Sequence, residues 1–346
     1  MDHPKCDDLR LCLQTYLDGA LSTVGCVEVS ALTAMQGGWE SDLYAVSAVV
    51  GPDAERRRQE WVLRLYHGDG AAQKAEHEFG ALRSLHAAGY PVPQVLMLEA
   101  GESPLGRPFV IMERILGEPM WALLSRASPA GRAELLALFG QLFARLHRLD
   151  WRPFVQDPAP YADRYLLIDS WLGRAHGVLE ASAYADLLPV VAWVEERRNR
   201  LPCARPAPVH QDLHPGNVLV RADGSAVVID WTSFEVSDPR FDLAWTLLLV
   251  DAYEGPAMYA AVLHEYERWA DGPVEELACF EVCACARRLF DIVSSLAEGA
   301  ERRGMRPEAL AGMRRVEPLQ RVYATLRERA GLRLARVEEL LATLSR

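Results

Sequence analysis

The spacing of hydrophobic and polar positions divides this chain into two parts. Up to about residue 113, apolar runs of strand length recur, and they predict strands over Val27–Ala34, Leu43–Val50, Glu60–Tyr66, Gln94–Glu99 and Pro108–Glu113. Helical spacing predicts two helices in the same part, over 7–21 and 71–88. After Gly117 the pattern is almost entirely helical. We therefore expect an α+β protein with an N-terminal antiparallel sheet lobe (1–113), a mostly helical C-terminal lobe (114–346) and a hinge near 112–117.

The helical part begins with a clear start signal. Ser128 is a good N-cap residue and Pro129 suits the first helical position, so a long helix is predicted from there through Asp150. His147, near its end, is expected to be a packed or capping residue. Further helices are predicted over 161–180 and 184–200, and about four more over 256–346.

The composition narrows the classes of protein that this chain can be. With 346 residues, half of them hydrophobic, it can bury a large core. A net charge of −11 disfavours nucleic acid and anionic membranes as partners. No stretch is apolar enough to span a bilayer and the first residues lack a signal-peptide run, which predicts a cytoplasmic protein. Seven cysteines favour reduced thiols, and those at 279, 283 and 285 are expected to pack in the core rather than bind metal.

Residues 209–231 concentrate the candidate chemistry. Asp-Gly between two β-branched runs predicts a hairpin, with Asp212 and Asn217 before it and Asp230 after it. Two carboxylates and an amide oxygen are hard ligands that suit Mg²⁺ bound together with substrate phosphates. The pattern His-x-Asp-x-x-x-x-Asn, followed by an Asp that closes the next strand, is that of the catalytic loop and metal-binding aspartate of protein kinases.

Three segments extend this match. They are His-Gln-Asp-Leu-His-Pro-Gly-Asn at 210–217, Ile-Asp-Trp at 229–231 and Asp-Pro-Arg-Phe-Asp-Leu-Ala at 238–244. Together they resemble the aminoglycoside phosphotransferase and choline kinase-like family, the small-molecule branch of the protein-kinase-like fold. The resemblance spans roughly residues 30–250. It implies a two-lobed fold and transfer of the γ-phosphoryl group of ATP, with GTP as the alternative, to a hydroxyl of a small molecule.

The resemblance also implies roles for the polar residues of the catalytic segment. Asp212 would orient the acceptor hydroxyl and take its proton, while Asn217 and Asp230 would hold Mg²⁺. His210 would brace the loop rather than act as a base. Asp242 would brace the loop too, and it is well placed to cap the helix that follows it.

The nucleotide would be held by the N-terminal lobe. Gly37, Gly38 and Ser41 fit the family's loop that covers the phosphates, because glycines let a backbone approach them closely. A plain hairpin turn is the alternative interpretation of the two glycines. Met112-Glu113-Arg114 resembles the hinge where adenine would bind to backbone groups, which makes Glu113 a candidate nucleotide contact.

The third predicted strand carries an arginine where kinases carry a phosphate-binding lysine. The only lysines, Lys5 and Lys74, lie in the N-terminal tail and at the start of the next helix, so Arg64 is the expected cation. In the family a glutamate on that helix pairs with the strand cation; Glu78 is the expected residue and Glu76 the competing one. A solvent-facing strand arginine is the alternative interpretation of Arg64.

Two departures from protein kinases favour a small-molecule acceptor. Only eleven residues separate Asp230 from Asp242, which leaves no room for an activation segment. Gln211 replaces the arginine with which protein kinases bind a phosphorylated activation loop. A protein kinase-like enzyme is therefore the disfavoured alternative. A non-catalytic nucleotide-binding module is another, disfavoured because the three polar residues of the catalytic segment are all present.

The charge distribution points to a class of acceptor. Residues 232–301 include fourteen acidic and four basic residues, and carboxylates in a cleft concentrate cations. We therefore expect an amine-bearing acceptor, such as an aminoglycoside, an amino alcohol or a macrolide, with Asp251, Glu254 or Glu281 facing the cleft. The alternative is that amphipathic helices simply expose these carboxylates to water. The oligomeric state stays open.

Overall fold

The computed structural model describes residues 6–21, 26–35, 41–52, 56–68, 70–101, 103–180, 184–270, 272–299 and 314–345. The chain forms two compact units. The N-terminal unit comprises residues 1–117 and 219–232, and the C-terminal unit comprises residues 118–218 and 233–346. The segment that ends in Asp230 therefore belongs to the N-terminal unit, although it lies far along the chain.

The N-terminal unit contains a five-stranded antiparallel sheet in the order β1-β2-β3-β5-β4. Its strands are β1 (Cys26–Ala34), β2 (Ser41–Gly51), β3 (Arg57–Tyr66), β4 (Val95–Glu99) and β5 (Phe109–Glu113). Helix α1 (Cys6–Ala20) precedes the sheet and α2 (Ala71–Ala87) follows β3. All seven predicted elements are confirmed, with ends that differ by a few residues.

Helix α1 covers one face of this sheet. Leu9, Leu13 and Leu17 recur every fourth residue, so they share one side of the helix. All three are buried in a core that includes Val46 and Leu63 of the sheet. Burying each leucine contributes about 1.5–3 kcal/mol, which fixes α1 on the sheet.

Strand β3 separates apolar from polar side chains. Successive side chains of a strand point to opposite faces, so Leu63 and Leu65 enter the α1 core while Arg64 points to the other face. Arg64 meets Glu78 of α2 there. Alternation along one strand thus places a cation on the α2 side of the sheet.

The C-terminal unit is mostly helical. Its helices are α3 (Met120–Arg126), α4 (Pro129–Arg148), α5 (Leu166–Glu180), α6 (Leu188–Glu195), α7 (Pro239–Glu254), α8 (Pro256–Trp269), α9 (Leu277–Glu298), α10 (Val316–Ala330) and α11 (Ala335–Leu344). Short strands are β6 (Glu118–Pro119), β7 (Ala207–Val209) and β10 (Glu235–Ser237), and β7 pairs antiparallel with β10. The described residues of 256–346 form four helices, α8 to α11, in agreement with the prediction.

Three predicted helices have wrong ends, and local turns explain two of them. Helix α4 stops at Arg148 because Asp150 accepts a hydrogen bond from the Arg152 N–H at 3.2 Å and starts a separate turn. Helix α5 begins at 166 rather than 161 because Asp163 accepts from the Tyr165 N–H at 2.9 Å in the same way. Helix α6 covers 188–195 rather than 184–200, with Pro189 in its first turn, where a missing N–H is tolerated.

Helices α7 and α9 form the centre of the C-terminal core. Cys279, Cys283 and Cys285 of α9 are buried there as free thiols, which confirms that they are packed core residues. Burial raises the pKa of all three thiols, so they stay protonated. Among the described residues, no helix is long and apolar enough to cross a membrane.

The predicted hairpin is formed by β8 (Val218–Val220) and β9 (Ala226–Val228). Its turn is closed by hydrogen bonds from the Arg221 N–H to the Ser225 carbonyl at 2.8 Å and from the Gly224 N–H to the Arg221 carbonyl at 3.0 Å. Gly224 has a φ of 83°, which favours glycine. After β9, the buried Trp231 packs edge-on against Tyr90, and this contact fixes the exit of the hairpin in the N-terminal unit.

Candidate active site

Arg64 lies at the centre of a buried polar cluster in the N-terminal unit. It donates from Nη1 to Glu78 Oε1 at 2.8 Å, from Nε to the Ser41 hydroxyl at 2.8 Å, and from Nη1 and Nη2 to Asp230 Oδ1 at 3.1 Å. The Arg64 side chain is 8% exposed and that of Glu78 is 2% exposed. The Tyr66 hydroxyl completes the cluster by donating a hydrogen bond to Glu78 Oε2. The interpretation of Arg64 as a solvent-facing residue is therefore wrong.

Burial and neighbouring charges act in opposite directions on this cluster. Burial lowers the pKa of Arg64, but the carboxylates of Glu78 and Asp230 outweigh it and raise that pKa above its usual range. Burial raises the pKa of Glu78, against the opposing effect of the Arg64 charge. Burial and the adjacent Glu78 raise the pKa of Tyr66, so its hydroxyl donates as a neutral group. The cluster thus presents a permanently charged guanidinium.

Asp230 joins the cluster from the exit of the hairpin. Its φ is 68°, a left-handed conformation that is uncommon outside glycine. Its side chain remains 40% exposed, although Oδ1 is bound to Arg64. Backbone strain of this kind clusters at functional sites, where the surrounding structure must hold it. The helix residue that meets Arg64 is Glu78, whereas Glu76 is exposed.

The predicted phosphate-covering loop is described only in part. Gly37 and Gly38 lie outside the described residues. Ser41 begins β2 and is buried, with its hydroxyl oxygen bound to Arg64. Ser41 therefore fixes the orientation of the guanidinium, and its direct contact with the nucleotide stays a prediction.

Glu113 lies at the end of β5, at the predicted hinge. Its carboxylate accepts a hydrogen bond from Arg221 Nη2 at 3.0 Å. Its backbone N–H donates to the Gln94 carbonyl at 2.8 Å, so that donor is already used within the sheet. An adenine contact at Glu113 would have to use another group.

In the C-terminal unit, one buried carboxylate braces the loop at 210–217. Asp242 accepts hydrogen bonds from the backbone N–H groups of His210 at 2.8 Å and Gln211 at 2.9 Å. Gln211 is held in a left-handed conformation, with a φ of 67°. The side-chain Nε2 of Gln211 donates to Glu235 Oε1 at 2.7 Å, and Arg287 Nη1 donates to the backbone carbonyl of Gln211 at 2.9 Å. These contacts hold the loop in a conformation that the chain would not adopt alone.

The predicted helix cap is one turn out of place. Helix α7 begins at Pro239 and is capped by Asp238, whose Oδ1 accepts from the Arg240 N–H at 3.0 Å. Asp242 lies inside the first turn of α7, where its oxygens bind the loop instead. His147 Nε2 lies 3.2 Å from Asp242 Oδ2 in this buried site, so His147 is a packed residue with polar partners.

Asp212 is oriented by a hydrogen bond from Trp245 and lies close to His214. Trp245 Nε1 donates to Asp212 Oδ1 at 2.8 Å. His214 Nδ1 accepts from the Gly216 N–H at 3.0 Å, which places the proton of a neutral ring on Nε2, 3.8 Å from Asp212 Oδ2. The Asp212 side chain is still 41% exposed. It is therefore fixed in orientation but open to an acceptor.

Gly216 and Asn217 shape the end of this loop. A Cβ on Gly216 would lie 2.7 Å from Cε1 of the His214 ring, so this close approach requires glycine. Asn217 Nδ2 donates to the Asp212 carbonyl at 2.9 Å. Because its nitrogen is used in this way, the amide oxygen of Asn217 is the group left to act as a ligand.

A cavity of about 420 Å³ opens beside the loop within the C-terminal unit. Most of its lining is apolar, with four aromatic rings from Trp171, Phe241, Trp245 and Phe290. Its charged lining residues are Arg174, Arg287 and Glu235. The volume falls within the range of about 300–1,000 Å³ that is typical of small-molecule pockets.

The acidic residues expected at the acceptor cleft have other surroundings. Asp251, Glu254 and Glu281 do not line this cavity. Glu281 is buried and accepts from Arg329 Nε at 2.8 Å. Glu254 accepts from Trp121 Nε1 at 2.9 Å. None of the three is therefore a lining residue of this cavity, and the expectation that one of them faces the acceptor stays a prediction.

Sequence reasoning missed two contributors to the site. Trp245 follows Asp242 by three residues on α7, so both point to the same side of the helix. That spacing is a signal that the sequence does contain. Arg287 lies on α9, beyond the resembling segments, and only tertiary packing brings it to the loop.

Comparisons with known proteins agree on the family and the fold. The sequence model of the phosphotransferase enzyme family matches residues 31–277. Acyl-CoA dehydrogenase family member 10 of Mus musculus is 26% identical over 197 residues, which are 55% of this chain and 18% of that protein. The chain spans only about a fifth of the length of the curated relatives it matches.

Two solved structures share the fold at low sequence identity. The gentamicin complex of APH(2")-IIa matches with a TM-score of 0.58 and 18% identity, covering 93% of this chain and 97% of that chain. Macrolide 2'-phosphotransferase type I matches with a TM-score of 0.59 and 18% identity, covering 90% and 97%. These matches confirm the expected α+β, protein-kinase-like fold. Because the family model covers well over half of the chain, this protein belongs to the phosphotransferase enzyme family, whose members transfer phosphoryl groups to hydroxyls of small molecules.

Proposed function

We propose that this enzyme transfers the γ-phosphoryl group of ATP, or of GTP as the alternative, to a hydroxyl of a small molecule, with Mg²⁺ as cofactor. The observation that carries the proposal is the Arg64 cluster, in which three distant chain segments hold one buried cation. Buried charges of this kind are expensive to desolvate and are typical of functional sites. A cation fixed in this way suits the charge of transferring phosphates.

In this mechanism the N-terminal unit neutralises the nucleotide phosphates. Arg64 binds phosphate oxygens, and Glu78 and Ser41 hold its guanidinium in place before the nucleotide arrives. Because the cation is already oriented, little reorganisation is needed when charge develops. Gly37, Gly38, Ser41 and Glu113 are the further nucleotide contacts in this proposal.

The donor groups fit Mg²⁺. Asp230 offers a partly exposed carboxylate, and Asn217 offers an amide oxygen whose nitrogen is already bound. Mg²⁺ prefers a few such hard oxygen ligands together with phosphate oxygens and water. We therefore assign Asn217 and Asp230 as its ligands. When bound, the ion would neutralise charge on the phosphates.

Asp212 acts on the acceptor. It accepts a hydrogen bond from the acceptor hydroxyl, orients that oxygen, and takes its proton as the new O–P bond forms and the bond to the leaving nucleoside diphosphate breaks. Trp245 binds one carboxylate oxygen and so restricts rotation of the side chain. Positioning of this kind is the main source of catalysis in phosphoryl transfer.

Two classes of acceptor are compatible with these steps. The acidic excess of residues 232–301 favours an amine-bearing acceptor, and APH(2")-IIa, a structural neighbour, was solved with gentamicin. The two arginines that line the cavity beside Asp212, Arg174 and Arg287, favour an anionic acceptor instead.

The test is a direct search for phosphotransfer. Purified protein is incubated with ATP, Mg²⁺ and pools of amino sugars, amino alcohols, macrolides and hydroxy acids, and the products are examined by mass spectrometry. We expect equal amounts of ADP and a phosphorylated acceptor, and none with Asp212→Asn as the matched control. The proposal fails if the wild type binds no ATP and phosphorylates no acceptor, or if Asp212→Asn is as active as the wild type.

A further inference from the structure

The cavity beside Asp212 has a chemical character that the acidic surface of the chain does not predict. Trp245 connects the cavity with Asp212, because it lines the cavity and also donates its Nε1–H to the Asp212 carboxylate. Trp171 and Phe241 stack with their ring centroids 6.1 Å apart on another part of the lining. An acceptor bound here would therefore meet aromatic and aliphatic surface over most of its body.

The charged groups of this lining are mainly positive. Glu235 is the acidic one among the described lining residues, and it already accepts a hydrogen bond from Gln211 at 2.7 Å. Arg174 and Arg287 also line the cavity, and no described carboxylate lies within ion-pair distance of either guanidinium. Arg174 is exposed on α5, so it can turn toward a ligand at small cost.

One aromatic ring of the cavity lining, that of Trp245, already has a cation against its face. The guanidinium carbon of Arg287 lies 3.8 Å from the centroid of the Trp245 ring. This cation–π contact occupies one face of the Trp245 ring. A second cation placed there would be repelled, whereas an anion could pair with a guanidinium that has no described carboxylate partner.

We propose that the acceptor is an alcohol with an apolar body and an anionic group, a carboxylate or a phosphate, rather than a polyamine. Its body packs against the aromatic lining, its anionic group pairs with Arg174 and Arg287, and its hydroxyl reaches Asp212. This assignment rests on the proposed phosphotransfer and specifies its acceptor.

The first test compares acceptors that differ only in charge. Medium-chain hydroxycarboxylic acids, with the hydroxyl at several positions, are compared with their primary amides, the corresponding amino alcohols and gentamicin, with ATP and Mg²⁺ present throughout. We expect kcat/KM for the best acid to exceed that of its amide by about tenfold and that of its amine by more. A higher kcat/KM for the amines or for gentamicin, or equal values across the series, would overturn the assignment.

The second test reverses one charge of the cavity. Arg174→Glu should lower kcat/KM for the acid by about tenfold and raise it for the matched amine, mainly through KM. Arg327→Glu is the control, because Arg327 is exposed on α10 and lies outside the cavity. If Arg174→Glu and Arg327→Glu change the acid, the amide and the amine equally, the cavity does not bind the anionic group.

Binding of ATP, measured separately by calorimetry, distinguishes the two levels of failure. If ATP binds and no hydroxy acid is phosphorylated at any hydroxyl position, the acceptor assignment is overturned while the proposed phosphotransfer stands on any other acceptor found. If ATP does not bind and no acceptor is phosphorylated, the proposed function itself fails.

Discussion

The two polar sites of this enzyme are held in opposite ways. Arg64 is fixed by side-chain ion pairs and is almost completely buried. Asp212 lies on a loop fixed through backbone hydrogen bonds to Asp242, and its own carboxylate stays 41% exposed. A cation that only has to bind a negatively charged group attracts it more strongly when water is excluded. The proposed role of Asp212, which is to take a proton from a ligand, requires an accessible carboxylate, and restraint through the backbone leaves the side chain accessible.

The largest effect is expected at the exposed site. Asp212→Asn keeps the shape and the hydrogen bond from Trp245 but removes the charge that accepts the proton, so kcat should fall about 1,000- to 10,000-fold. ATP affinity and thermal stability should be nearly unchanged, because the residue is neither buried nor part of the N-terminal unit. Steady-state kinetics and calorimetric ATP binding measure both effects. Turnover near that of the wild type would mean that another residue takes the proton.

The next effect is expected at the buried cation. Arg64→Ala should lower kcat/KM for ATP about 100- to 1,000-fold. It should also destabilise the N-terminal unit, because Glu78 would be left buried without its partner. Arg64→Lys should retain more activity, since a point cation still reaches phosphate.

Arg58→Ala is the matched control for Arg64→Ala. Arg58 lies on the same strand with its side chain 74% exposed, so its removal should change neither kcat/KM nor the melting temperature appreciably. Full activity of Arg64→Ala would assign the phosphate contact elsewhere, with Lys74 as the next candidate.

A smaller effect is expected from the brace of the catalytic loop. Asp242→Asn replaces one carboxylate oxygen by an NH₂ group, which is a donor only, so the backbone N–H of either His210 or Gln211 loses its acceptor. The free energy of unfolding should fall by about 1–3 kcal/mol, and kcat should fall more than ATP affinity. Chemical denaturation of Asp242→Asn and of the control Asp251→Asn, on the same helix, measures the difference. Equal stability of the two variants would contradict the bracing role.

The smallest effect is expected at the donor to Asp212. Trp245→Phe keeps an aromatic ring in the cavity but removes the N–H that holds Oδ1, so kcat should fall by about three- to tenfold, the worth of one hydrogen bond. Trp171→Phe changes a cavity ring that makes no described contact with Asp212, and it should alter the acceptor KM rather than kcat. If both variants change only KM, Trp245 is a wall of the cavity and not a positioning residue.

Much of the N-terminal unit can be predicted from the sequence, because its signals are local. Strand-length apolar runs predict the sheet, and the scarcity of lysine singles out Arg64. The four-residue spacing of leucines predicts α1 and the face that it buries. The hydrogen bond from Arg64 to the Ser41 hydroxyl could not be predicted in this way, because it depends on the pairing of β2 with β3.

The C-terminal unit is harder to predict because its site depends on packing between distant helices. The count of acidic residues after 232 cannot tell which of them pair with a core arginine, as Glu281 does with Arg329. The left-handed backbone at Gln211 and Asp230 has no sequence signal, since the neighbouring contacts impose it. Arg287 reaches Gln211 and Trp245 only because α9 packs on α7.

The close approach of His214 to Gly216 restricts the order in which this loop can change during evolution. Alanine at 216 would collide with the imidazole ring, whereas a smaller residue at 214 would remove the obstacle but also the acceptor for the Gly216 N–H. We therefore expect each single replacement to disturb the loop, whereas a paired replacement can remove the collision. A library that varies positions 214 and 216 together should recover active pairs that stepwise mutagenesis would miss.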